Sequence, residues 1–253
     1  MKIRILPATV GTTPGQGLSC YIVDDVLAID AGALGFCGTV AEQTRIEHIL
    51  LTHSHIDHLA GLPMFLDNIY GVSARCPTVY GIQATLDSLQ SDLFNGRLMP
   101  DFIGMSARMR PFLSLKEISP DNRFTLGKYT IDVIAVEHNV PTVGYVVDDS
   151  RATFALFTDT LPIPEVLKSL AAHPRLKAVF LECSFPRRLH RLAAESCHIT
   201  TDQFDEIVRL MPSNLTVYPI HMKPQYHAEI VAELVTLDLP NVRIVEPGGT
   251  VEI

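Results

Sequence analysis

The sequence predicts an α/β fold of two β-sheets flanked by helices, arranged as one domain over residues 1–253. Three observations carry this expectation. The chain has 253 residues, of which 47% are hydrophobic, enough for a sizeable core. Its first thirty residues are short apolar runs separated by Gly, Pro and Asp turns. From Tyr129 onward, strand-like and helix-like segments follow one another without linker, repeat or low-complexity interruption.

"KIRIL", "SCYIV" and "VLAID" read as a β-meander, with turns at "TTPGQG" and at Asp24–Asp25. "RIEHILLTH" is rich in Ile and Leu and reads as a buried strand ending in polar residues, and "GLPMFLDNIYG" reads as a helix. "TVYGIQATLDSLQSDLFN" begins as a strand and becomes a helix, with Leu86, Leu89 and Leu93 at helical spacing. Pro100 and Pro111 argue against long elements in residues 96–120, which read as an irregular cap over a site.

The remaining segments are "YTIDVIAV", "VGYVVDD", "ATFALF", the helix "PEVLKSLAAH", "LKAVFLE", a helix after His198, "LTVYPI", the helix "QYHAEIVAEL" and "VRIV". The helix after His198 carries a capping box, Thr200 to Gln203, ahead of Phe204, Ile207, Val208 and Met211 on one face.

A formal net charge of −8 works against sequence-independent binding of phosphate backbones, which needs clustered Lys and Arg, so nucleic acid is disfavoured as a partner. The N-terminal stretch lacks an apolar h-region, and no run of eighteen apolar residues occurs, so the expectation is a cytoplasmic protein that meets no membrane. Five scattered cysteines without a CxxC pair read as reduced, mostly buried thiols.

The stretch "LLTHSHIDHLAGL" places His53, His55, Asp57 and His58 between apolar runs. In extended backbone, residues two apart point the same way, so His53 and His55 can reach one metal ion. Asp57 and His58, where the chain enters its helix, can turn toward a neighbouring ion. Zinc takes about four ligands with one position left for water, so further donors must come from elsewhere. His138, Asp159 and His221 each follow a predicted strand, and the two oxygens of Asp159 suit a bridge between ions.

His48, His173, His190 and His227 read as structural or solvated. His198 precedes a helix N-terminus and could donate a proton or a hydrogen bond to a substrate. Zinc is the first expectation for the metal, with manganese or iron as alternatives for a His/Asp set.

HxHxDH at His53–His58, "IDAG" at Asp30, "EHNVPTVGY" at His138, "FTDT" at Asp159 and "IHMKP" at His221 together resemble the metallo-β-lactamase superfamily of dinuclear hydrolases. The resemblance spans nearly the whole chain. It implies a four-layer αβ/βα sandwich of two mixed sheets flanked by helices. It gives His53, His55 and His138 to one metal ion, Asp57, His58 and His221 to the other, and Asp159 to both, with Asp30 supporting the loop.

Within the superfamily, "DLFNGRLMPDF" (Asp92–Phe102), "LECSFP" (Leu181–Pro186), "ESCHIT" (Glu195–Thr200) and "HMKP" (His221–Pro224) are similar to the class II cyclic-nucleotide phosphodiesterases. Ile56 and Pro63 depart from that branch's pattern. The branch implies hydrolysis of a 3′,5′-cyclic nucleotide (cAMP or cGMP) to the 5′-monophosphate by hydroxide bridging two divalent ions. Asp57 then orients the nucleophile, and His198 contacts the phosphoryl oxygens or protonates the leaving 3′ oxygen. By resemblance, Phe94 and Asn95, with Asp101 and Phe102, shape the base or ribose pocket.

Transfer-RNA 3′-end processing of the tRNase Z kind shares the HxHxDH pattern, but a basic RNA-binding arm is missing from this sequence. A lactonase on the same metals is a further alternative. A non-catalytic sensor would lack a ligand, and every expected ligand is present. A homodimer is one option for the oligomeric state, on which the sequence is silent.

Overall fold

Asp24 and Asp25 both have positive φ, 47° and 60°. Positive φ at two successive residues marks a type I′ turn, here opening a three-residue loop, and Asp tolerates it better than most residues. Val26 N donates to Val23 O at 3.1 Å and closes the turn. The turn joins β2 (Tyr21–Val23) to β3 (Leu27–Ile29), and β1 (Lys2–Ile5) pairs antiparallel on the other side of β2. The computed structural model describes residues 1–7 and 17–253, so the turn expected at "TTPGQG" lies almost wholly outside the described residues.

The chain divides into two compact units, an N-terminal one of Lys2–Pro7 and Leu18–Pro120 and a C-terminal one that includes Asp121–Ile253. In the N-terminal unit, β4 (His48–Leu50), β5 (Thr78–Gly81) and β6 (Ser114–Glu117) extend the meander, each parallel to the strand before it. The sheet is therefore mixed. Its helices are α1 (Val40–Gln43), α2 (Ile56–Leu59), α3 (Leu62–Ile69), α4 (Gln83–Ser88) and α5 (Phe102–Arg108).

Helix α3 buries Leu62, Phe65, Leu66 and Ile69, the spacing of a single helical face. Pro63 sits in its first turn, where a missing N–H leaves nothing unsatisfied, so this departure from the phosphodiesterase pattern costs the helix nothing. Helix α4 runs on into a wider turn at Leu89–Leu93, and Leu86, Leu89 and Leu93 are buried as expected.

Residues 96–120 are more ordered than their prolines suggest. Asp101 caps α5 by accepting from Gly104 N at 2.7 Å, and β6 then joins the end of the sheet beside β5. Only one neighbour strand and exposed Lys116 and Glu117 make β6 look like a loop in sequence, because edge strands carry such charges.

The C-terminal unit has a second mixed sheet. Strands β7 (Arg123–Leu126), β8 (Tyr129–Val136), β9 (Thr142–Asp148) and β10 (Thr153–Phe157) pair antiparallel, and β11 (Leu176–Glu182) and β12 (Thr216–Ile220) add in parallel beyond β10. Helices α6 (Pro164–Ala171), α7 (His190–Glu195), α8 (Thr201–Arg209) and α9 (His227–Thr236) connect or follow them.

The Thr200 amide donates to Gln203 Oε1 at 3.0 Å, as the capping box requires. Phe204, Ile207, Val208 and Met211 then pack in one core with Val179 and Leu181 of β11 and Ile230 and Leu234 of α9. Each such side chain contributes about 1.5–3 kcal/mol relative to exposure.

"VRIV" does not form the expected strand. Val242 makes a single bridge to Val217, and the chain then leaves toward the turn at Pro247–Gly248, after which β13 (Thr250–Glu252) begins. No helix among the described residues is long and apolar enough to cross a membrane. All five cysteines are free, but only Cys20 and Cys183 are fully buried, so burial is less general than the composition suggested.

Candidate metal centre

In the N-terminal unit, β3 and β4 are parallel neighbours, so the loops that leave them start at one edge of the sheet. The first begins at Asp30, which is buried and held at a φ of 58°, a conformation costly for a residue other than Gly. Its carboxylate accepts from Thr52 N at 2.8 Å, from the Thr52 hydroxyl at 2.9 Å and from His58 Nδ1 at 2.7 Å. The Thr52 oxygen in turn accepts from His53 Nδ1 at 3.0 Å. A single buried carboxylate thus fixes the orientation of two imidazoles.

The strand β4 stops at Leu50, earlier than "RIEHILLTH" suggested, and an extended segment carries His53 and His55 past the sheet edge. Their rings lie 4.6 Å apart, and their nearest donor atoms fall within 4.8 Å of each other. Helix α2 holds Asp57 and His58, with His58 Nε2 3.7 Å from Asp57 Oδ2.

Backbone contacts grip this helix. Ser19 N donates to Asp57 O, Ala31 N to His58 O and Gly32 N to Ser19 O, each at 2.8 Å. A Cβ on Gly32 would collide with the Asp57 carbonyl, so "IDAG" needs glycine for close approach.

In the C-terminal unit, β8, β10, β11 and β12 all run in one direction, because β9 reverses between β8 and β10. Their C-terminal ends therefore share an edge, and His138, Asp159, Glu182 and His221 all lie there. His138 Nε2 is 3.6 Å from Asp159 Oδ2, and His221 Nε2 is 3.2 Å from Asp159 Oδ1. The carboxylate turns one oxygen to each imidazole. His138 Nδ1 donates to the Cys197 carbonyl at 3.0 Å, and His221 Nδ1 donates to Ser184 Oγ at 3.2 Å. His221 has a φ of 58°, a second strained residue at the centre.

His198 joins this group, with Nε2 3.9 Å from Asp159 Oδ2 and Nδ1 3.1 Å from both oxygens of Glu182. Burial works against the charged ring, but the charge and hydrogen bond of Glu182, aided by Asp159, outweigh it and hold the His198 pKa above its ordinary value. The charge of Lys223 opposes this.

Thus the N-terminal unit gathers His53, His55, Asp57 and His58, and the C-terminal unit gathers His138, Asp159, His198 and His221. The expected pocket residues behave otherwise. Phe94 is buried against Phe102, with ring centroids 5.5 Å apart. Asn95 spends its amide on its own turn, donating to Asp92 O at 3.0 Å and accepting from Arg97 N and Leu98 N at 2.9 Å.

Glu182 and Ser184 escaped the sequence reading. Glu182 is fully buried and accepts from the Thr160 amide, from Ser184 Oγ at 2.7 Å and from His198. An acid ending the otherwise apolar run "AVFLE" was the available signal.

The donor chemistry fits divalent cations. His53, His58, His138 and His221 each give Nδ1 to an oxygen partner, the arrangement that fixes a metal-binding histidine's tautomer and presents Nε2.

A model of the β-lactamase superfamily domain matches residues 30–222, from Asp30 to just past His221. The chain belongs to this superfamily. Solved structures with the same fold span essentially all of this superfamily member. Unliganded yeast PDE1 is 18% identical with a TM-score of 0.78, covering 98% of each chain. The metallo-β-lactamase fold protein YhfI from Bacillus subtilis is 16% identical with a TM-score of 0.73, covering 99% of this chain and 98% of its own. Human tRNase Z, short form, is 15% identical with a TM-score of 0.69, covering 100% of this chain and 99% of its own. Among curated proteins none matches.

Membership and the shared metallo-β-lactamase fold support a metal-dependent hydrolase.

Proposed function

We propose that the protein hydrolyses a 3′,5′-cyclic nucleotide to its 5′-monophosphate, using two divalent metal ions. In this reading His53, His55 and His138 would hold one ion and Asp57, His58 and His221 the other, with Asp159 in both donor sets. The observation that carries it is the pairing at Asp159, where His138 and His221 approach opposite oxygens. When bound, two such ions supply hydroxide at neutral pH and offset a phosphodiester's charge, which suits an anionic substrate on an acidic chain.

The chain's own groups divide the remaining work. Asp57, with a partly exposed carboxylate, orients the attacking water. Glu182 holds His198 by Nδ1, so that Nε2 faces the reacting phosphate. From there His198 donates to a phosphoryl oxygen or gives its proton to the leaving 3′ oxygen. The raised pKa of His198 favours the protonated ring that this step needs.

Likeness to yeast PDE1 over the full chain supports the phosphodiesterase reading, as do the blocks at Asp92–Phe102 and Glu195–Thr200. Likeness to tRNase Z supports the rival, against which the net charge of −8 stands. The test is a panel of 3′,5′-cAMP, 3′,5′-cGMP, 2′,3′-cyclic nucleotides, bis(p-nitrophenyl) phosphate, a lactone and a precursor tRNA, with products read by phosphorus NMR. The proposal expects a 3′,5′-cyclic nucleotide to be the best substrate and its 5′-monophosphate the product. Preference for the tRNA or the lactone would replace it.

A further inference from the structure

The N-terminal unit has a second concave site, which none of its metal-binding candidates lines. Between α3 and the segment that leads through α5 lies a cleft of about 370 Å³, walled by Met64, Met99, Met105, Phe102, Tyr70 and Phe112. This size falls within the usual range for small-molecule sites. Methionines have unbranched, polarizable side chains that reshape around an apolar body. Tyr70 is 45% exposed, and its ring stands edge-on to Phe112 with centroids 5.0 Å apart.

Tyr70 and Phe112 also wall a neighbouring cavity of about 140 Å³, which Arg75 and Arg110 line as well. The two cationic groups differ. Arg75 pairs with Glu47, whereas the Arg110 side chain donates only to the Ala74 carbonyl, at 3.4 Å, and has no carboxylate partner among the described residues. Asp67 lines the apolar cleft, whereas Arg75 and Arg110 line the neighbouring cavity.

We propose that this cleft binds a small amphipathic anion, with an aryl or alkyl body among the methionines and a carboxylate, sulfonate or phosphate head on Arg110. An exposed aromatic and adaptable apolar walls favour the body, and an unneutralised guanidinium in the neighbouring cavity selects its charge. Asp67, lining the apolar cleft, disfavours the anionic head there and leaves the Arg110 cavity for it. None of the proposed metal ligands lines the cleft, although Phe102 and Met99 belong to the Asp92–Phe102 block.

Full-length protein is titrated with 1-anilinonaphthalene-8-sulfonate and with its uncharged relative N-phenyl-1-naphthylamine, both read by fluorescence. The sulfonate should saturate at one per chain and bind at least about tenfold tighter than the neutral probe, a gap equal to one lost charge-assisted contact. Arg110→Ala should remove that gap while leaving the neutral probe's affinity unchanged. Met105→Trp, which fills the cleft, should abolish saturable binding of both, with circular dichroism and melting temperature confirming a folded variant. Absence of saturable binding to the unaltered protein overturns the proposal. Equal affinity for both probes, or sulfonate binding that neither substitution alters, also overturns it.

Discussion

Both carboxylate oxygens of Glu182 stand 3.1 Å from Nδ1 of His198, and the two residues are buried together at the end of β11. An acid in this position fixes the ring and favours its charge. Glu182→Gln keeps the shape and removes the charge. The proposed cyclic-nucleotide hydrolysis should fall by about 10–100-fold, with metal content unchanged. The alkaline limb of its pH profile should move to lower pH, because the imidazolium loses its counter-charge. An unmoved limb would reduce Glu182 to a structural role.

His198→Ala removes the proposed donor without touching any proposed ligand. Turnover should drop by about 100-fold or more. Metal content, measured on the same preparation, should match that of the unaltered protein. Adding Glu182→Gln to this variant should cost little more, since both act through one ring. Full additivity would contradict the pairing.

Asp30→Asn and Gly32→Ala test the support behind the N-terminal donors. The first exchanges the carboxylate that accepts from His58 at 2.7 Å and from Thr52. Loss of such a partner typically weakens metal affinity by about 10–100-fold, measurable by competition with a chelator. The second forces α2 away from Ser19 and the loop, and should lower metal content while the fold survives.

Stability at low pH should respond to Asp148. Burial acts to raise its carboxyl pKa, but the Thr153 hydroxyl, the Ser150 amide at 2.6 Å and Arg175 at 2.9 Å outweigh it and hold the pKa below the ordinary value. A depressed folded pKa stabilises the protein above the unfolded value of roughly 3.9, and the gain fades as pH falls through the folded pKa. Asp148→Asn should therefore lower the melting temperature at pH 7 by roughly 2–4 °C, with the gap closing toward pH 3. A gap that stays constant with pH would contradict this linkage.

Much of the fold was legible because its period was. The buried alternation of "YTIDVIAV" and the helical spacing of Phe204, Ile207 and Val208 state their elements directly. Strand β6 was not legible, since an edge strand with exposed Lys116 and Glu117 has the composition of a loop. "VRIV" misled in the opposite sense: its residues favour a strand, but the chain turns away after one bridge.

At the candidate centre, His53, His55, Asp57 and His58 were readable as a local pattern, and His138, Asp159 and His221 from their places at strand ends. Glu182 was not, because its partner His198 is 16 residues away and only the fold unites them. Asn95 shows the converse, a polar residue in a suggestive motif whose side chain serves its own turn.

Metal content tests the central claim most directly. Purified protein, stripped with a chelator, reloaded with zinc or manganese and freed of excess ion, is measured by inductively coupled plasma mass spectrometry beside Asp159→Asn. The account predicts close to two ions per chain in the unaltered protein and a clear deficit in the variant, which lacks the shared carboxylate. One ion or none per chain in the unaltered protein, or full occupancy without the Asp159 carboxylate, would contradict it.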